Sequence, residues 1–271
     1  MMKASRNSWR FQFTLRTVFL LLTLFCVWLG YRTDRAQRQA RAVAAIRDLG
    51  GRVTYRYQGE HGNYVLLKYH AQPEGPSSLR KLLGDDFFNE VGAVGLRGPG
   101  ITHDVLRPLR DCRGLEQLVL GNSVPEEYTR ITDEGMQTIT SLRGLRTLWI
   151  IGDSSITDGG FVRLKDLTAM DHLNLDGTQI SDAGLEAIAT LPNLRRLSLC
   201  NTPVTDRGLA ALMASRQLQE LFLQRTGITD DGIAHLHVLG SLREVSLRGT
   251  SVTRGGIERL QQALPRCEID H

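Results

Sequence analysis

Carboxylates, imidazoles and hydroxyls recur along this chain at spacings that invite a chemical reading. A Thr/Ser-Asp-x-Gly phrase places an aspartate at 133, 158, 182, 206 and 230. Regularly spaced carboxylates suit calcium, but stacked calcium-binding repeats return after about nine residues. These return after 24 or 25. A hydroxyl residue followed by Asp at the head of an apolar run reads instead as a helix start. The side-chain oxygens meet the free N–H groups of the first turn, and the acid suits the positive helix end. Helix capping is thus expected to account for these aspartates. His235-x-His237 falls in a helical stretch, where residues two apart point in different directions and make poor co-ligands. Gly95 to Gly100 (GLRGPG) lacks the Lys-Ser/Thr of a phosphate loop. Ser, His and Asp occur, but no nucleophile motif frames them. The reading is therefore non-enzymatic, with no catalytic residue, cofactor or metal expected.

The remaining candidates are side chains that strands would direct outward. Three such residues fall in each L-x-L stretch: Gln117, Val119 and Gly121; Thr147, Trp149 and Ile151; His172, Asn174 and Asp176. Arg196, Ser198 and Cys200 follow, then Glu220, Phe222 and Gln224, then Glu244, Ser246 and Arg248. Trp149 with Ile151, and Phe222, are large apolar groups turned toward water, the kind that anchor interfaces. Single exposed apolar residues are also ordinary. His172, Arg196 and Glu220 form a polar row across neighbouring strands, which reads first as a solvated, mutually compensating face. Residues expected to contact a protein or peptide are Trp149, Ile151, His172, Asn174, Arg196, Ser198, Glu220, Phe222, Glu244 and Arg248.

Two phrases, repeated in register, must position these groups. One starts at Ile131, Ile156, Ile180, Val204, Ile228 and Val252, with a degenerate copy at Ile101. The other is Leu115-x-x-Leu118-x-Leu120, continuing through the stretches that begin at Leu145, Met170, Leu194, Leu218 and Leu242. Alternation in L-x-L suits a short strand with one buried face. Three residues past the last apolar position stands a small polar residue, usually a hydroxyl: Ser123, Asp153 with Ser154 after it, Thr178, Thr202, Thr226 or Thr250. It can bond the turning backbone. Apolar spacing after Thr-Asp-x-Gly is helical. Each unit is strand, turn, helix and return, and only stacking buries both apolar faces.

This pattern resembles leucine-rich repeat proteins of the ribonuclease-inhibitor-like or cysteine-containing style. The resemblance covers about residues 91–271. It implies an α/β fold, a right-handed horseshoe with a parallel concave sheet and convex helices, and a partner held on that sheet. The layout also resembles short membrane-anchored leucine-rich repeat proteins of planctomycete-type bacteria. There, a segment like Phe13-Thr14-Leu15-Arg16-Thr17 leads into an apolar run, and a stretch like Leu82-Leu83-Gly84-Asp85-Asp86-Phe87-Phe88 follows.

Ahead of the repeats, residues 1–16 form a basic flank and 17–31 an uncharged apolar run. At ~1.5 Å per residue the run spans about 22 Å against a hydrocarbon core of roughly 30 Å. It reads as an uncleaved signal anchor contacting the lipid bilayer. A cleaved signal peptide and a buried soluble helix are the other readings. Residues 32–49 read as a juxtamembrane helix. Residues 50–90 read as an N-terminal cap, with strands at 52–57 and 63–70 paired as a hairpin and a short helix at 77–83. Val94 is placed in the first solenoid strand. The repeats are expected outside the cell, although basic residues flank both ends of the run.

Net charge is +4, but residues 1–90 hold fourteen basic against seven acidic residues, and residues 91–271 hold nineteen against twenty-two. The basicity therefore sits beside the membrane, and the repeats give no ground for expecting nucleic acid. Cys26, Cys112, Cys200 and Cys267 fall too far apart along the stack for a disulfide. The nine residues from Asn122 to Arg130 lengthen one interval and read as a surface loop. The functional expectation is a membrane-anchored recognition or scaffold module. The alternatives are a regulator that sequesters a partner enzyme, or a structural component of the cell envelope.

Overall fold

A computed structural model describes residues 15–60, 63–67, 72–98, 100–121, 129–152 and 155–271. The basic flank through Thr14, Ser123, Ser154 and most of the 122–130 loop lie outside the described residues.

Each Leu-x-Leu phrase forms a strand. After β1 (Arg52–Tyr55), β2 (Gly59–Glu60) and β3 (Asn63–Leu67) come β4 (Val91–Leu96), β5 (Gln117–Leu120), β6 (Thr147–Ile150) and β7 (His172–Asn174). Then follow β8 (Arg196–Ser198), β9 (Glu220–Phe222), β10 (Glu244–Ser246) and β11 (Glu268–Asp270). Strands β4 to β11 stack in chain order as a parallel sheet, with β1 antiparallel on the outer side of β4. Leu148, Leu173, Leu197 and Leu221 pair in register, and none is more than 1% exposed. They form a single buried column, as the alternation requires.

Past the strands the chain turns sharply. Gly177, Asn201, Arg225 and Gly249 occupy the left-handed region at equivalent positions. The Thr that follows each of them turns its hydroxyl inward. Thr178, Thr202, Thr226 and Thr250 donate to the carbonyls of Leu175, Leu199, Leu223 and Leu247, each at 2.7 Å. The convex side carries α3 (Asp133–Ser141), α4 (Asp158–Phe161), α5 (Asp182–Ile188), α6 (Asp206–Ala211), α7 (Asp230–Ile233) and α8 (Arg254–Ala263). Several of these continue as 3₁₀ turns, as at Val162–Asp166 and Ala234–Val238. A 3₁₀ turn rises ~2.0 Å per residue against ~1.5 Å for an α-helix, so a short repeat spans its outer arc with fewer residues.

Helix capping explains only part of the Thr-Asp-x-Gly phrase. Thr157, Ser181, Thr229 and Thr253 do accept a first-turn N–H. The aspartates do something else. Each reaches across to the hydroxyl residue of the following repeat and takes both its N–H and its O–H. Asp133 holds Thr157, Asp158 holds Ser181, Asp182 holds Thr205, Asp206 holds Thr229 and Asp230 holds Thr253. All the N–H bonds are 2.8–2.9 Å and the O–H bonds 2.6–2.7 Å. Glycine completes the phrase for the same reason. A Cβ on Gly208 would lie 2.5 Å from Asp182 Oδ1, and one on Gly160 2.6 Å from Asp133 Oδ1. The motif is a lateral joint between neighbours, and its signal was present in the sequence as the invariant partnership of Asp with a Gly two residues on.

The N-terminal region differs from expectation in one pairing. Strand β1 does not pair with the 63–67 strand but lines β4, from Arg52 opposite Gly95 to Tyr55 opposite Val91. The hairpin is made by β2 and β3 instead. An open solenoid end exposes the backbone groups of its first strand, and β1 satisfies them. Helix α2 (Ser77–Leu83) forms where the short helix was expected.

Segments 17–31 and 32–49 lie in one continuous helix, α1 (Leu15–Asp48), about 51 Å long by its 34 residues. Its two halves have different surroundings. Leu15, Phe19, Leu22, Phe25 and Val27 are exposed, and the helix is long and apolar enough to cross a membrane. Its second half buries Ala42, Val43 and Ile46 in the same core as Val91, Val94 and Leu96. Gln39 is buried at 3% exposure, and its amide group donates to Asp86 Oδ1 and the Asn89 carbonyl, both at 2.8 Å. Arg32 donates to the Phe87 carbonyl at 2.6 Å and lies 5.2 Å from the Phe87 ring centre, and Trp28 meets that ring edge-on. The Asp85–Phe88 stretch singled out in the sequence is thus the seat on which α1 docks.

Candidate functional site

The outward residues of β6 to β9 enclose a shallow concavity of about 300 Å³ on the inner face of the sheet. Because strands stack in register, residues one repeat apart become lateral neighbours. Of the ten candidates, Trp149, His172, Asn174, Arg196, Ser198 and Phe222 line this hollow. Glu220 joins it through Arg196, which donates to Glu220 Oε1 at 2.7 Å from Nη2 and pairs a second time through Nε. The structure does not bring Ile151, Glu244 or Arg248 into the same hollow. Arg248 follows β10, the next strand, and is tied to Asp270 at 2.7 Å.

Three lining residues were recognised as outward-facing but not selected: Asp176, Cys200 and Gln224. Asp176 is the hub. Its Oδ1 accepts the Ser198 hydroxyl at 2.6 Å and the Cys200 N–H at 2.8 Å, and its Oδ2 accepts from Asn174 at 3.0 Å. The Asn174-x-Asp176 spacing beside Ser198-x-Cys200 was the available signal, legible only once strand register is known. Ser198 is buried, so it supports the floor of the hollow rather than offering a free hydroxyl. Cys200 donates to Gln224 Oε1, and burial pushes its thiol above the ordinary value. A thiol held protonated is a poor nucleophile.

The floor is therefore an internally satisfied polar network with apolar walls. Trp149 and Phe222 stand at its two sides, and the Arg196–Glu220 pair and His172 mark its rim. His172 is paired with Asp171, Nδ1 to Oδ1 at 2.9 Å. His237 contacts the Ala234 carbonyl at 2.5 Å. No group of three His, Cys, Asp or Glu side chains among the described residues is arranged to hold a metal ion.

These features define a leucine-rich repeat solenoid. A leucine-rich repeat family model matches residues 170–189, which run from the start of the β7 repeat phrase into α5. An internalin (inlF) from Listeria monocytogenes is similar to the chain at 20% identity and a TM-score of 0.45, over 61% of this chain and 56% of that one. An internalin C2 from the same organism is similar at 22% identity and a TM-score of 0.45, over 63% of this chain and 77% of that one. The chain thus spans little more than half the length of the first of these. No curated protein sequence matches it.

Proposed function

We propose that this protein is a membrane-anchored recognition module that binds a protein partner on its concave sheet between Trp149 and Phe222. The observation that carries this reading is the hollow itself, with two aromatic walls and a satisfied polar floor. Aromatic residues beside a desolvated polar floor are the usual composition of an interface anchor. Parallel stacking leaves the inner face of a solenoid free for extended contact. A catalytic role has less support, because the lining thiol and the hydroxyl of Ser198 are held in the floor network. The anchoring part rests on the exposed apolar half of α1. The extracytoplasmic placement of the repeats belongs to the same proposal.

The test uses the full chain in detergent, because Ala42, Val43 and Ile46 of α1 belong to the core and a shorter fragment would uncover it. Affinity capture from the source membrane fraction is compared among the parent, Trp149→Ala and Phe222→Ala. A partner retained by the parent and lost from both variants, with thermal unfolding unchanged, supports the reading. A captured set identical across all three overturns it. Stoichiometric inhibition of a captured enzyme would place the protein among regulators acting through the same face.

A further inference from the structure

Helix α1 fixes which edge of the horseshoe faces the end of the apolar span. Gln39 lies at the start of β4, accepting the Val91 N–H at 3.4 Å, and Ile46 packs with Leu96 at its end. The helix therefore runs beside β4 in the same direction, and its apolar half projects beyond the starts of the strands. Tyr31, the last residue of the apolar run, accepts a hydrogen bond from Arg113 Nη1 at 3.0 Å. Arg113 stands in the turn that leads into β5. The edge formed by these helix-to-strand turns is thus level with the end of the span, where a tyrosine meets the headgroups.

That edge is basic. Arg113, Arg143, Arg146, Arg195, Arg216 and Arg243 all occupy turns entering the strands, and all are exposed. Arg143 is 3.9 Å from Asp166, and no carboxylate pairs with the other five among the described residues. Among the acids of the same turns, Glu116 is paired with Arg56, and Asp171 Oδ1 lies 2.9 Å from the His172 imidazole. Across the molecule, the strand-to-helix edge carries the aspartates of the repeat joints. The near-neutral charge of the repeats in sum conceals this division. Strands stack at right angles to their length, so a helix set along the membrane normal lays the row of turns along the membrane plane.

We propose that the helix-to-strand edge rests on the bilayer and docks anionic lipid headgroups through its turn arginines. This rests on the membrane-anchor reading. Exposed arginines beside anionic headgroups gain Coulomb energy that decays within a Debye length, about 8 Å at physiological salt. Nucleic acid would meet the same charge but not the same placement beside Tyr31.

The experiment reconstitutes the full chain into vesicles of neutral phosphatidylcholine, with or without phosphatidylglycerol, doped with a headgroup-quencher lipid. A fluorescent amino acid is installed at position 217, on the basic edge, or at position 251, on the opposite edge. Flotation after alkaline wash reports insertion separately, and a chain that fails to float rejects the anchor reading on which the proposal rests. For a chain that floats, quenching at 217 is expected to exceed that at 251 by about threefold in anionic vesicles, decaying with salt on the Debye scale. The triple change Arg195→Glu, Arg216→Glu and Arg243→Glu should abolish that excess while flotation persists. Equal quenching at the two positions, or quenching indifferent to phosphatidylglycerol, overturns the proposal. So does retention of a labelled oligonucleotide by the edge with no response to anionic lipid.

Discussion

Asp182 holds Thr205 with both carboxylate oxygens, taking the N–H at 2.8 Å on Oδ1 and the hydroxyl at 2.6 Å on Oδ2. The α-carbon of Gly208 passes directly beside Oδ1, where a methyl group has no room. Asp182→Ala leaves the Thr205 N–H without its partner and should cost about 1–2 kcal/mol. Gly208→Ala should cost about 1–3 kcal/mol despite the better helix propensity of alanine, because the added carbon overpacks the joint. Combined, the two changes should cost clearly less than their sum, since the first removes the atom that the second strikes. Urea unfolding of the four proteins measures the coupling, and additive costs would refute the joint.

Acid should weaken the last joint as Asp230 takes up a proton. Asp230 is held below the ordinary aspartate value of 3.8 by the Thr253 hydroxyl, then by the Thr253 N–H and by Arg259. Asp270 is lowered in the same direction by Ser246 and Arg248. A depressed carboxyl stabilises the fold fully above its unfolded value and loses that contribution as pH falls from there through the folded value. Stability should therefore be level near neutrality and decline below about pH 4, with Asp230→Asn flattening part of the decline. Thermal melts across pH 2.5–7 provide the check; equal slopes for parent and variant would contradict it.

Thiol reactivity should report burial. Burial raises Cys112 to about 12, helped by Asp111 and Asp86, and raises Cys267 to about 11, helped by Glu244 and Glu268. Alkylation by iodoacetamide at pH 8 should leave both unmodified in the folded chain and modify both in denaturant. Peptide mass spectrometry after each treatment decides the matter. Rapid modification of Cys112 in the native protein would place that thiol outside the core.

Arg225 adopts φ 55° at a turn where sister repeats place Gly152, Gly177 and Gly249. A β-carbon in this left-handed region costs roughly 1–2 kcal/mol, partly offset by the greater freedom of glycine when unfolded. Arg225→Gly should therefore stabilise the protein by about 0.5–1 kcal/mol. A lower midpoint in urea would show that the arginine makes a contact outweighing its strain.

Features confined to one repeat were legible in the sequence, and features between repeats were not. The Leu148 to Leu221 column follows from a two-residue alternation. Asp158 was misassigned because its partner, Ser181, lies 23 residues away and touches it only after stacking. The same limit applied to Asp176, whose bond to Ser198 crosses from one repeat to the next. The pairing of β1 with β4 was missed because an edge strand takes whichever neighbour the fold leaves open, and local turn signals favoured the nearer segment. The docking of α1 depended on Gln39, a lone polar residue whose partners lie some fifty positions onward.

Because every joint from Asp133 to Thr253 joins an aspartate to a hydroxyl residue, serine once and threonine elsewhere, beside a glycine, the array has no privileged seam. An in-frame duplication or loss of one 24-codon stretch within it recreates an identical junction. Lineages could thus lengthen or shorten the inner surface, and so retune what it grasps, without inventing a single new contact.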